Sequence, residues 1–265
     1  MRPQLILIVA AAVASAWLAP APLIAGTSGA AASQGTGVAT SAPNSPITRM
    51  ASWPGGVSKN WSGYAGVARA GIKLTYVSAQ WRVPAIQNIN NTASSMWVGI
   101  DGFHNSQLIQ TGTEHSKVNG QVLFRAWWEI LPANETPLFN VRAGDLMSAY
   151  VRDISGNQWQ ISIRDVTSGQ SFVHNFTYRG PGASAEWILE RPEFGGKFST
   201  LAHYTPTGFR VAKVGGNFQP PGNPGLVYPS MAIAMNQNGT LVSFPSRPTN
   251  GNSFNLAYGH QPAAP

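Results

Sequence analysis

Two polar residues sit inside otherwise apolar stretches: Gln110 in LIQTG (108–112) and Glu190 in AEWILE (185–190). The chain has only ten Asp and Glu in 265 residues and no Cys, so a Glu two positions after Ile188 in a strand-like run needs a reason. The reason is chemistry: a carboxyl group can take up and return a proton, and a primary amide carries a donor and an acceptor that do not titrate.

Other hydrolytic constellations are missing. The sequence has no G-x-S-x-G elbow and no H-E-x-x-H, and its five His, at 104, 115, 174, 203 and 260, show no metal-ligand spacing. Without Cys there are no thiolate zinc sites and no cysteine nucleophile. Paired aspartic chemistry needs two Asp in D-S-G or D-T-G loops, and Asp101, Asp145, Asp153 and Asp165 all lie outside such loops. His104 and His115 flank the Gln110 segment and read as surface loop residues. No feature demands a metal or an organic cofactor.

The elements that position Gln110 and Glu190 read as strands. From Trp61 onward, short β-type runs alternate with breakers, and none keeps a 3.6-residue period. Examples are 61–67, 74–83, 96–101, 107–110, 122–131, 146–152, 158–165 and 185–190, and Asn238-Gly239 marks a type I′ hairpin. About thirteen strands without helices predict an all-β antiparallel sandwich of the jelly-roll kind, with a closed barrel as the alternative. A curved sheet of this size offers a concave groove for an extended ligand.

Strand alternation assigns faces. Glu186, Ile188 and Glu190 share one side, opposite Trp187 and Leu189. Trp97, Gly99 and Asp101 oppose Met96, Val98 and Ile100, which face the core; Arg125, Trp127, Glu129 and Leu131 oppose Phe124, Ala126, Trp128 and Ile130. A face mixing Trp with Glu, Asp, Gln and Arg has the character of a groove floor. Trp97 and Trp127 also fit ordinary inter-sheet packing, and Glu186 reads as a solvated or salt-bridged strand residue.

Ahead of this domain, residues 1–26 hold one charge, Arg2, then LILIVAAAVASAWLA and Ala14-Ser15-Ala16, the pattern of a secretory signal peptide. The run is shorter than the ~20 residues of a membrane span. Residues 27–58 are Ser, Thr, Gly, Ala and Pro with few large apolar side chains, which predicts a linker or a propeptide with too little surface to bury to offset ordering. Residues 59–265 suffice for one domain. A removed propeptide would put the mature N-terminus near Trp53 to Lys59.

The formal charge of +7 suggests an anionic partner. The 17 Lys and Arg are scattered singly, however, and the excess reflects scarce acids, so nucleic acid and membrane are not expected partners. Few carboxylates also mean few groups whose protonation unfolds the chain, a hint of acid tolerance.

WVGIDG (97–102), LIQTG (108–112), AWWEILP (126–132), DLMSAYV (145–151) and AEWILE (185–190), with NWSGYA (60–65) and VP (83–84) upstream, resemble in order and spacing the glutamic peptidases, the eqolisin family. The similarity covers roughly 59–190 and, more weakly, the remainder. It implies a secreted, acid-acting β-sandwich endopeptidase, monomeric, with polypeptide substrates and a catalytic dyad falling on Gln110 and Glu190. The Glu would take a proton from water and later return it to the leaving amine; the Gln would position water and donate to the oxyanion. Trp97, Asp101 and Glu129 fall on family motifs and would line or brace the groove. A base working in acid must be ionised there, so donors near Glu190, Gln110 among them, would have to offset burial. Arg125 departs from the pattern, standing where the family tends to carry Asp. A glycoside hydrolase pairing Glu190 with Glu129 or Glu186 at roughly 5 to 10 Å, or a carbohydrate-binding sandwich, remains open at this point.

Overall fold

A computed structural model describes residues 39–217, 219–224 and 230–259; residues 1–38, which include the expected leader at 1–26, lie outside the described residues. The chain divides into units 1–35 and 36–265, and every described residue belongs to the second. The described residues form strands and no helix. In chain order these are β1 (Thr48–Met50), β2 (Trp53–Ser58), β3 (Trp61–Val67), β4 (Leu74–Arg82), β5 (Thr92–Ile100), β6 (Ile109–Val118) and β7 (Gln121–Ile130). They continue with β8 (Thr136–Asn140), β9 (Leu146–Ser155), β10 (Gln158–Asp165), β11 (Ser171–Thr177), β12 (Ser184–Glu190), β13 (Glu193–Phe194) and β14 (Lys197–Phe198). The last are β15 (Thr200–Leu201), β16 (Thr207–Gly216), β17 (Gln219–Pro224), β18 (Ser230–Gln237), β19 (Thr240–Pro245) and β20 (Phe254–Tyr258).

Pairing arranges them as two layers. The front layer runs β8-β7-β6-β5-β12-β3-β18, with β2 beside β18. The back layer runs β11-β10-β9-β4-β16-β20. Strand β19 pairs with both β18 and β20, so one hydrogen-bonded sheet folds over itself and nearly closes. The sandwich expected from the sequence is therefore present, joined along one edge. The predicted hairpin connects β18 to β19, and Asn238 and Gly239 both take positive φ, 55° and 87°, as a type I′ turn requires.

The core lies between the layers. Met96, Val98 and Ile100 of β5 and Trp187 and Leu189 of β12 meet Val77, Trp81, Met147, Val151, Ile161 and Phe209 from the back layer. The opposite face of the front layer carries a second cluster, built on Trp61, Trp97, Trp127, Leu108 and Ile188.

Residues 39–58 are folded against the domain rather than extended in solvent. β2 pairs in parallel with β18 and antiparallel with β1, and Val57 is buried. The order comes from main-chain hydrogen bonds to a ready-made surface, which composition does not record.

Candidate active site

Register places the polar residues of the front layer in rows on its outer face. One row reads Ala65, Glu186, Gly99, Gln110, Glu129 across β3, β12, β5, β6 and β7. The next reads Gly63, Ile188, Trp97, Gly112, Trp127, and the third Trp61, Glu190, Ser95, Glu114, Arg125. Directly opposed residues of antiparallel strands project to the same side, so the alternation read from the sequence holds for β5, β7 and β12. Gly112 is what lets Trp97 lie across the sheet, because a Cβ there would overlap the Trp97 Cβ and the Met96 carbonyl. Trp97 packs edge-on to Trp61, with ring centroids 4.9 Å apart.

The Trp97 indole leads to Glu190. Its Nε1 donates to Glu190 Oε2 at 2.8 Å, while Oε1 accepts from the Ala42 main-chain N at 3.0 Å and from Asn60 Nδ2 at 3.4 Å. Glu190 is fully buried. Burial pushes its pKa up to about 8, against the opposing pull of the Ala42 amide, Trp97, Asn60 and Ser41. The expectation that donors would hold the group in its ordinary range is thus corrected for this covered state. The donors are also different ones, since Gln110 turns elsewhere.

Gln110 Nε2 donates to Glu129 Oε2 at 2.7 Å. The Gln110 Oε1 accepts nothing, so the amide is held by one N–H and keeps its other N–H and its oxygen for a ligand. Glu129 is pushed up to about 9, by burial first and then by the negative charge of Glu190, which puts the two carboxyls in one electrostatic unit. The Ser41 main chain faces Glu129 and its hydroxyl faces Glu190. Neither approach closes into a hydrogen bond, and Ser41 Oγ and Glu129 Oε1 stay unpaired.

The other sequence candidates fall in different places. Asp101 leaves the strand alternation with φ of 72° just past β5. Its carboxylate accepts from Tyr178 Oη (2.8 Å), Gly182 N (3.0 Å), Ala183 N (2.7 Å) and Asn105 Nδ2 (3.2 Å), clamping the approach to β12. Glu186 is neither solvated nor salt-bridged, contrary to expectation. It is fully buried, both its oxygens lack a hydrogen-bond partner, and burial raises its pKa well above the ordinary range, with Asp101 adding to the rise. His115 is likewise no loop residue: it is buried in β6, bonded to Ser94 Oγ (3.2 Å) and Thr113 Oγ1 (2.9 Å), and burial lowers its pKa to about 3. Arg125 bridges Glu114, at 2.7 Å, and Glu135.

Sequence reasoning missed Asn60 as a contact of Glu190. Its Nδ2 also reaches the carbonyls of Ala42 (3.4 Å) and Pro43 (3.3 Å). The available signal was its place in NWSGYA, directly before a buried Trp.

The family model for the peptidase A4 family matches residues 59–258. The chain belongs to that family. Aspergillopepsin-2 of Aspergillus niger is 27% identical over 232 residues, covering 76% of this chain and 78% of the relative. Scytalidopepsin B of Scytalidium lignicola is 27% identical over 153 residues, covering 55% of this chain and 56% of the relative. A crystal structure of scytalido-glutamic peptidase with a transition state analog inhibitor superposes with a TM-score of 0.66 at 21% identity, covering 76% of this chain and 98% of the other. The eqolisin resemblance read from the motifs therefore stands, and this peptidase A4 member is a hydrolase acting on peptide bonds. The glycan-directed readings are set aside.

Proposed function

We propose that this A4 peptidase is a secreted, acid-acting endopeptidase that uses Glu190 as general base and Gln110 as oxyanion donor. The observation supporting it best is a peptide N–H seated on Glu190 Oε1 at 3.0 Å within a fully buried site. In the proposed reaction, a water gives its proton to ionised Glu190 and its oxygen adds to the scissile carbonyl carbon. The carbonyl oxygen becomes an oxyanion that accepts from the free N–H of Gln110, whose Oε1 has oriented the water. The C–N bond then breaks as Glu190 returns the proton to the departing nitrogen. Glu129 is a positioning residue: by accepting from Gln110 Nε2 it fixes which way the amide points.

Glu190 covered by residues 39–45 keeps its proton up to about pH 8. Uncovering it admits water and weakens burial, the largest cause of the rise, while Trp97 and Asn60 remain as donors. Ionisation in acid then becomes accessible. Digestion of a denatured protein across the acid range, with an aspartic-protease inhibitor and a chelator present, tests the class. Gln110→Ala is expected to lower kcat by about 10²- to 10³-fold, the cost of one oxyanion donor. A Gln110→Ala enzyme within threefold of its parent would remove the amide from the mechanism.

Secretion rests on the leader at 1–26, and removal of residues beyond it rests on what they cover. Strands β1 and β2 belong to the folded layer, so a cut between Asn44 and Thr48 costs less than one at Trp53 to Lys59, which would strip β2 from β18. N-terminal sequencing of the active form is expected to place its first residue at 45–48; a start at 53–59 would show that β2 is dispensable.

A further inference from the structure

Residues 39–45 lie across the site; Ser45 is anchored through its hydroxyl to Ser58 and the Lys59 N–H, and Thr40 to Asn44 are held almost entirely by their main chain. Thr40 and Glu193 exchange both main-chain hydrogen bonds, Thr40 N to Glu193 O at 3.0 Å and Glu193 N to Thr40 O at 2.9 Å. Ala42 N donates to Glu190 at 3.0 Å. The Ala42 carbonyl accepts from Trp61 Nε1 (3.1 Å) and Asn60 Nδ2 (3.4 Å), the Pro43 carbonyl accepts from Asn60 (3.3 Å), and Asn44 N donates to the Gly102 carbonyl (3.0 Å). Thr40 Oγ1 on Asn134 is a side-chain exception, at 3.3 Å.

We infer that the edge of β13, the Asn60 amide and the Gly102 carbonyl hold the main chain of an extended peptide substrate across Glu190, and that Thr40–Asn44 occupies this track in the uncleaved chain. The inference rests on the peptidase reading given above. Contacts made to backbone groups do not depend on side chains, which is what an endopeptidase acting on many sequences requires. The β13–β14 hairpin stands apart from the main sheet, so the N–H and C=O of Glu193 are spent on Thr40 alone. An edge of this kind pairs with any extended chain placed beside it. Ala42 N stands where the nitrogen of a scissile bond would have to receive its proton from Glu190. The residue at the place of Thr40 is then the second on the N-terminal side of that bond.

The test uses the full chain carrying Thr40→Pro and Ala42→Pro, each of which removes a strap N–H. Before any processing, this variant is expected to cleave a short extended peptide at an initial rate about tenfold or more above the unprocessed parent. With that variant, and with parent protein after its own processing, N-methylation of the peptide at the residue matching Thr40 is expected to lower kcat/KM about tenfold. Methylation one residue further upstream should leave it unchanged. Equal initial rates for parent and variant, or equal kcat/KM for methylated and unmethylated peptides, would overturn the inference while leaving Glu190 and Gln110 in place. Failure of every form to cleave any peptide would fail the peptidase reading and this inference with it.

Discussion

Replacing Glu190 by Gln is expected to lower kcat by about 10²- to 10⁴-fold, the loss that follows removal of a proton-transferring group, with the fold retained and the Tm of the covered chain lower by several degrees. The two halves have one physical origin. With its pKa up at about 8, covered Glu190 is a neutral acid over most of the working range. A primary amide has the same size but a single acceptor oxygen, so it keeps either the Trp97 or the Ala42 N–H and turns its NH2 toward the other, at a cost of about 1 to 3 kcal/mol. The amide cannot accept a proton from water, so the chemical step is lost with the fold intact. Single-turnover rates on processed protein, with melts of both proteins, would check both halves. Activity within tenfold of the parent would end the assignment of Glu190 as base. Glu129→Gln makes a useful contrast: Gln110 keeps an acceptor there, so a loss of tenfold or less is expected.

Thermal stability is expected to be greatest near pH 4 to 5 and to fall as the pH rises toward 8 or 9. For an acid whose folded-state pKa lies above its unfolded value, the unfolded chain loses its proton first, so stability is complete below about 4.5 and is lost as the pH climbs through the folded value. Glu190 and Glu129 rise from 4.5 to about 8 and about 9, and Glu135 and Glu186 rise too, in each case with burial as the first cause. His115 acts in reverse: lowered from 6.5 to about 3, it costs stability as the pH falls through that window, which sets the acid edge. One pKa unit corresponds to about 1.4 kcal/mol, so the four carboxyls outweigh the single imidazole. Glu186 isolates the effect, because neither of its oxygens has a hydrogen-bond partner and burial outweighs the opposing pull of the Ser184 hydroxyl. Glu186→Gln is expected to change Tm little at pH 4 and to raise it at pH 8, each kcal/mol counting for about 2 to 4 °C in a domain of this size. Melts that run parallel for parent and variant across this range would show that Glu186 ionises freely.

The expectation of acid tolerance rests on one cause in the sequence and on another in the fold. A scarcity of carboxylates suggested that little could go wrong in acid; in the fold, Glu129, Glu135, Glu186 and Glu190 are buried where they favour their protons. Faces were legible wherever one side of a strand was apolar, as in Met96, Val98 and Ile100 against Trp97 and Gly99. The reading stopped short at Gln110, because Thr111 to Val118 is polar on both sides: Thr113 and His115 bond to Trp81 and Ser94, while Glu114 turns to Arg125. Ala42 and Glu193 were out of reach for another reason. Their roles rest on main-chain groups and on pairings between residues more than a hundred positions apart, which no local pattern encodes.

Seven of the ten carboxylates are buried, Asp101, Glu114, Glu129, Glu135, Asp165, Glu186 and Glu190, whereas most of the 17 Lys and Arg are exposed. The exposed charge of the described residues is therefore predominantly cationic in acid and in neutral solution. Copies of the molecule repel one another at every pH in that range. For an enzyme that cuts polypeptides, mutual repulsion is a defence, since the hairpin of one molecule seldom meets the cleft of another. Salt shortens the reach of that repulsion to about 8 Å at physiological strength, so concentrated, salty solutions are where self-digestion between molecules accelerates.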